Sequence, residues 1–212
     1  MNSPIAADQR ERLIAAILPD IAFDGWSRAA LRHAARRSGM VTADEAPALF
    51  PRGAPDLVAE FSRWADRQML ERLAAADMPA RLSARIALAL RLRFEVLGPW
   101  REAVRHALAV LAAPHHAPLA LRLLYESVDA MWRGVGDGAT DFSFYTKRAT
   151  LAAILAAATL YWLDDRSPDA ADTMAFIDRR LADLHRLGGL RERFAGAVGN
   201  LPNPLRVLRP LR

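Results

Sequence analysis

The stretch SRAALRHAARRSGMVTADEAPALFPRGAPDL, Ser27 to Leu57, decides how this chain folds. Ser27 offers a hydroxyl to the unpaired amides of a helix start. Behind it, Ala30, Leu31 and Ala34 share one face, and Gly39 ends the helix by taking left-handed backbone without a Cβ penalty. Thr42-Ala43-Asp44-Glu45 is a capping box, in which the Thr hydroxyl takes the Glu45 amide and the Glu side chain returns to Thr42. The short helix it opens reaches about Phe50 and is disturbed by Pro47, which lacks an amide hydrogen. Pro51, Gly53 and Pro55 then break the chain before a long helix.

Outward from this stretch the sequence reads as helix in both directions. Residues 8–18 place Leu13, Ile14, Ile17 and Leu18 on one face. A helix from Asp56 to Ala76 carries Leu57, Phe61, Trp64 and Met69. Helices follow from Pro79 to Leu97, Pro99 to Ala112, Pro118 to Gly134, and Asp141 to Leu163. Ser167-Pro168 is a cap and first-turn pair opening a helix to about Leu187, and Gly188-Gly189 precedes a last amphipathic segment. No strand alternation of useful length and no internal repeat occurs. The fold class expected is all-α, a bundle of about nine to ten helices. Three regions are expected: 1–55, 56–187 and a basic segment 188–212.

Composition agrees. Hydrophobic residues make up 52% and charged residues 25% of the 212, too apolar for a disordered chain. There are no cysteines, so disulfides, thiolate metal sites and a cysteine nucleophile are excluded. The net charge of +5 is concentrated at one end: residues 186–212 hold six Arg against Glu192 alone, so the first 185 residues are neutral. A basic tail on a neutral body suits an acidic surface, an anionic membrane or a nucleic acid. The longest uncharged apolar run, Ala149 to Leu163, is shorter than the roughly 20 residues a bilayer needs, and reads as a buried helix. Asp8, Gln9, Arg10 and Glu11 stand where a secretory signal would be apolar, so a cytoplasmic protein is expected.

Catalytic patterns are absent. His33, His106, His115, His116 and His185 show no HExxH or Glu-x-x-His spacing. There is no nucleophile elbow, P-loop or dinucleotide fingerprint, and Gly134-x-Gly136-x-Gly138 lacks the strand a phosphate loop follows. No catalytic residue, cofactor or metal site is expected.

The N-terminal unit, with its capped helix, Gly39, short helix and Phe50-Pro51 before a long helix, resembles a TetR-family DNA-binding domain. It departs at the recognition helix. Ala43-Asp44-Glu45-Ala46-Pro47-Ala48-Leu49 carries only acidic charge, which a phosphate backbone repels. A degenerate helix-turn-helix is therefore expected and DNA is not the expected partner, although Arg28, Arg32, Arg36 and Arg37 remain able to touch phosphate.

A second set of motifs lies further on. Asp129-Ala130-Met131-Trp132 precedes Asp141-Phe142-Ser143-Phe144-Tyr145-Thr146-Lys147-Arg148, and the Ala-rich helix ends in Leu160-Tyr161-Trp162. Asp165-Arg166-Ser167-Pro168-Asp169, Asp172-Thr173 and Phe176-Ile177-Asp178-Arg179-Arg180 follow. Over roughly 125–182 the chain closely resembles the ninth COQ protein family, accessory proteins of ubiquinone biosynthesis. The resemblance implies a TetR-like fold, a homodimer, and an isoprenoid lipid or quinone precursor in an apolar pocket. It also implies a di-iron demethoxyubiquinone hydroxylase as partner. By this reading the protein is an accessory and not an enzyme, peripheral on the inner face of a bacterial inner membrane. The alternative is a TetR-like repressor with a lipid effector.

The resemblance also directs the choice of site residues. For pocket lining the candidates are Leu124, Met131 and Trp132, with Leu151, Ile154 and Leu155 on the Ala-rich helix. Small residues there allow either tight packing or a cavity, and spacing does not separate the two. The resemblance implies that Asp141, Phe144 and Tyr145 at that helix start are the hydroxylase contact; two successive aromatics diverge on a helix, which suits an outward contact, and the alternative is a helix cap with a hydrophobic staple. Leu190, Phe194, Val198 and Leu201 form an apolar stripe flanked by Arg191 and Arg193, a pattern that suits either a helix lying in a membrane interface, as the resemblance implies, or one packed on the bundle.

Overall fold

Helix α1 (Pro4–Ile17) buries Leu13, Ile14 and Ile17 completely, the stripe its sequence carries. The structure, a computed structural model, describes residues 4–136 and 143–183. Pro19 does not end the first helical region. It sits in a 3-10 turn (Leu18–Asp20), where its missing amide costs no hydrogen bond, and a single turn α2 (Ile21–Asp24) follows. Ser27 caps α3 (Arg28–Ser38) by accepting from the Ala30 amide at 3.1 Å, and Gly39 closes it at φ 64°.

The capping box forms as the sequence predicts. The Glu45 amide donates to Thr42 Oγ1 and the Thr42 amide to a Glu45 carboxylate oxygen, each at 3.2 Å. The helix behind it shrinks to one turn, α4 (Ala46–Leu49). Pro47 has no amide for the ladder, and the bonds around it tighten to i→i−3, Ala48 to Glu45 and Phe50 to Pro47.

The spine is α5 (Ala54–Ala75), which starts two residues before the expected point because Pro55 fits a first turn. Helix α6 (Leu82–Leu97) starts three residues after Pro79, and the Pro79 carbonyl instead accepts from Arg85 Nε at 2.7 Å. Then come α7 (Arg101–Leu111), α8 (Ala117–Gly134) and α9 (Ser143–Asp164). A 3-10 turn at Pro168–Ala170 leads into a helix over 171–183, α10. No strand occurs among the described residues.

Helix α5 touches α1, α6, α7 and α8, and α8 carries α9. The N-terminal unit is tied to this body by polar contacts as well as apolar ones. Trp26 Nε1 donates to the Ala103 carbonyl of α7 at 3.0 Å, and its ring lies 4.9 Å from Phe61 of α5. Arg67 of α5 pairs with Glu11 of α1 and with Glu60, both at 3.0 Å.

The end of α9 is fixed by side chains from two directions. Arg101 and Arg105 of α7 donate to the Asp165 and Leu163 carbonyls, which a helix C-terminus leaves unpaired. Asp165 then organises the turn into α10. One carboxylate oxygen accepts from the amide and hydroxyl of Ser167, the other from the amide and hydroxyl of Thr173.

Candidate lipid-binding cavity

Five helices, α5 to α9, enclose a cavity of about 500 Å³. Val58, Phe61 and Ala65 of α5 face it at i, i+3 and i+7. Phe94 and Leu97 contribute from α6, and Val104, Leu108 and Leu111 from α7 with the same helical spacing. Helix α8 adds Leu123 and Leu124, and α9 adds Leu155. Ala107, Ala120 and Ala156 also line the space, where longer side chains would fill it. Leu121 and Leu160 line it yet are 68% and 62% exposed, so they mark its opening.

The buried end is polar. Arg93, on the apolar face of α6, reaches Ser127 Oγ of α8 at 3.1 Å, Ser62 Oγ at 3.5 Å and Asp66 Oδ1 at 3.4 Å. Ser127 donates to the other Asp66 oxygen at 2.8 Å. Burial drives the Asp66 carboxyl above its usual range, and Arg93 and the Ser127 hydroxyl oppose this without reversing it. Arg93 Nε and Nη1 are buried with no acceptor.

The expected lining residues divide. Leu124 and Leu155 face the cavity. Met131, Trp132, Leu151 and Ile154 are also buried, but they pack in the core away from it. Trp132 lies under Lys147, whose Nζ is 5.8 Å from the ring, and the two helices are joined nearby by Arg148 and Asp129 at 3.0 Å. Phe144 and Tyr145 fall in the first turn of α9, with side chains outside the described residues. Asp141, Leu190, Arg191, Arg193, Phe194, Val198 and Leu201 lie outside the described residues.

Sequence reading missed the α7 wall and the Arg93 cluster. Arg93 did carry a signal: a charge three residues after Leu90 and four before Leu97, on the face those residues bury. No group of three metal-ligating side chains occurs among the described residues. His116 Nδ1 is engaged with the Val110 carbonyl at 2.8 Å. No single described helix is long and apolar enough to cross a membrane.

The surface that would meet DNA is reduced. Beside the one-turn α4, Asp44 and Glu45 are exposed, Arg28 donates to the Pro51 carbonyl, and Arg37 is held by Asp20 at 2.9 Å.

The COQ9 family model matches residues 117–188. The human mitochondrial ubiquinone biosynthesis protein COQ9 is 31% identical over 188 residues, covering 84% of this chain and 58% of that protein. COQ9-B of Xenopus laevis is 32% identical over 196 residues, covering 88% of this chain and 66% of that one. The chain thus spans about three fifths to two thirds of these relatives' length. A TetR transcriptional regulator from Nitrosomonas europaea superposes with a TM-score of 0.64 at 20% identity, over 82% of this chain and 97% of the regulator. At that identity the likeness shows the fold: an all-α, TetR-like helical bundle.

Proposed function

The chain belongs to the COQ9 family, and from that premise we propose that it is a non-catalytic accessory protein of ubiquinone biosynthesis. Its role is to hold an isoprenoid quinone precursor and present it to a di-iron demethoxyubiquinone hydroxylase at an anionic membrane surface. One observation carries this reading: an apolar cavity of about 500 Å³ that opens to solvent between Leu121 and Leu160. That volume lies within the roughly 300–1,000 Å³ of small-molecule sites. A polyprenyl tail is driven out of water by the hydrophobic effect, so a carrier must offer it apolar walls. The space suits a ring and the first part of a tail, with the remainder leaving through the opening.

Asp141, together with Phe144 and Tyr145 of the first turn of α9, is the proposed contact for the hydroxylase. The stripe from Leu190 to Leu201 with its arginines is the proposed membrane contact, and the active unit is a homodimer. The rival reading, a TetR-like repressor, has the fold in its favour and its recognition element against it, because α4 is a single turn beside two exposed acids. It requires salt-dependent binding to a duplex at low ionic strength.

Organic extraction of the purified chain followed by mass spectrometry is the direct test. A stoichiometric quinone or polyprenylphenol is expected. Phospholipid alone, or no lipid, would remove the cargo from this account.

A further inference from the structure

Four of the seven large apolar side chains exposed among the described residues gather at the mouth of the cavity. They are Leu121 and Tyr125 on α8, and Leu160 and Tyr161 on α9. The two helices run antiparallel, joined by Arg148 and Asp129 at 3.0 Å and meeting further along where Leu121 and Leu160 flank the opening. Beside the mouth, the outer side of α9 is small and uncharged. Ala149, Ala153 and Ala157 are exposed, and no charge occurs from Ala149 to Leu163. A helix apolar on every side is ordinarily covered, and an apolar patch left open marks an interaction site. Resting on the cavity and membrane readings above, we propose that the chain's own stripe, Leu190, Phe194, Val198 and Leu201, covers this face away from a membrane. It closes the mouth and leaves it for an anionic bilayer.

Spacing, reach and charge select that segment. The stripe repeats at i, i+4, i+8 and i+11, and so do Ala149, Ala153, Ala157 and Leu160. Two helices with matching stripes lie along each other, large side chains seated over small ones. Helix α10 already rests on the rim, with Phe176 stacked on Tyr161 at 5.1 Å. From Phe176 to residue 183 the helix advances about 10 Å, and the seven residues on to Leu190 span up to about 23 Å. The stripe can therefore return to the mouth without stretching. Asp164, one turn beyond Leu160, has its side chain 87% exposed. A carboxylate there opposes an anionic bilayer and suits a segment carrying Arg191 and Arg193. One apolar stripe cannot face two surfaces at once, so membrane contact uncovers the cavity where the lipid is.

The chain has no cysteine, so paired substitutions report proximity directly. In the full chain, Ala157→Cys/Ala197→Cys should be joined within one molecule by a short bismaleimide. Ala29→Cys/Ala197→Cys, whose first position is exposed on α3, should not. Anionic liposomes should reduce the first cross-link severalfold. No cross-link above the α3 control, or one undiminished on liposomes, overturns the closure and leaves the lipid-carrier reading in place. A cross-link between isotopically heavy and light chains seats a second copy's stripe on the mouth and also overturns it. Uptake of Nile red by the delipidated full chain reads the consequence. Phe194→Asp/Val198→Asp should take up the dye severalfold faster than the parent, and equal rates overturn the closure. Uptake by neither protein overturns the cavity reading and this proposal with it.

Discussion

Asp165 shows how much one carboxylate holds in place. Burial pushes its carboxyl up, but the hydrogen bonds from Ser167 and Thr173 overcome this and hold its pKa at about 2, below the usual 3.8. A folded pKa lower than the unfolded one means stability that is present above 3.8 and lost as pH falls through about 2. Asp165→Ala should therefore cost about 2 kcal/mol near neutral pH, read from urea unfolding. The gap between variant and parent should narrow between pH 4 and pH 2; a gap constant across that window would remove Asp165 from this role. Asp66 has the opposite sign. Its carboxyl is raised, so its contribution is complete below 3.8 and declines as pH rises toward the folded value.

At the scale of the element, the same helical spacing serves two purposes, and substitution separates them. Leu151 of α9 packs in the core, so Leu151→Ala should cost about 2–5 kcal/mol and leave lipid content per folded molecule unchanged. Ala107 of α7 faces the void, so Ala107→Phe should change stability by less than about 1 kcal/mol while extracted lipid falls severalfold. Lipid retained at parental levels would show that the cargo lies elsewhere. The first turn of α9 has its own test. Phe144→Ala/Tyr145→Ala should weaken hydroxylase pull-down severalfold at an unchanged melting temperature, as loss of aromatic anchors does. Undiminished capture would take these residues out of the interface. Helix α4 shows how local chemistry overrides a pattern: the capping box forms as written, yet Pro47 confines the helix behind it to one turn.

For the molecule as a whole, the N-terminal unit is fastened to the body that encloses the cavity. The Trp26 indole bridges to α7 and packs at a tilt against Phe61, which is itself a cavity wall. Trp26→Phe should lose about 1–2 kcal/mol by leaving the Ala103 carbonyl without its donor, and unfolding should remain one transition. Two separated transitions would show that the unit folds apart from the rest. Membrane association belongs to this scale too. Phe194→Asp/Val198→Asp should release the chain from anionic liposomes, since the stripe would lose its apolar face. Sedimentation with liposomes at the parental level would place the membrane contact elsewhere.

The sequence by itself determined the all-α class, the positions of the long helices within a few residues, and the family. These rest on local signals: apolar spacing, caps such as Ser27 and Thr42, and ordered motifs along one stretch. It did not determine which apolar residues face a cavity. Met131, Leu151 and Ile154 repeat with the same period as Leu124 and Leu155, and helical spacing records only that a face is turned inward. Tertiary structure decided the division, because an empty space exists only where several helices fail to meet. It also decided the polar end. Asp66, Arg93 and Ser127 come from three helices, with Ser127 61 positions from Asp66 and 34 from Arg93, and no local pattern links residues that far apart.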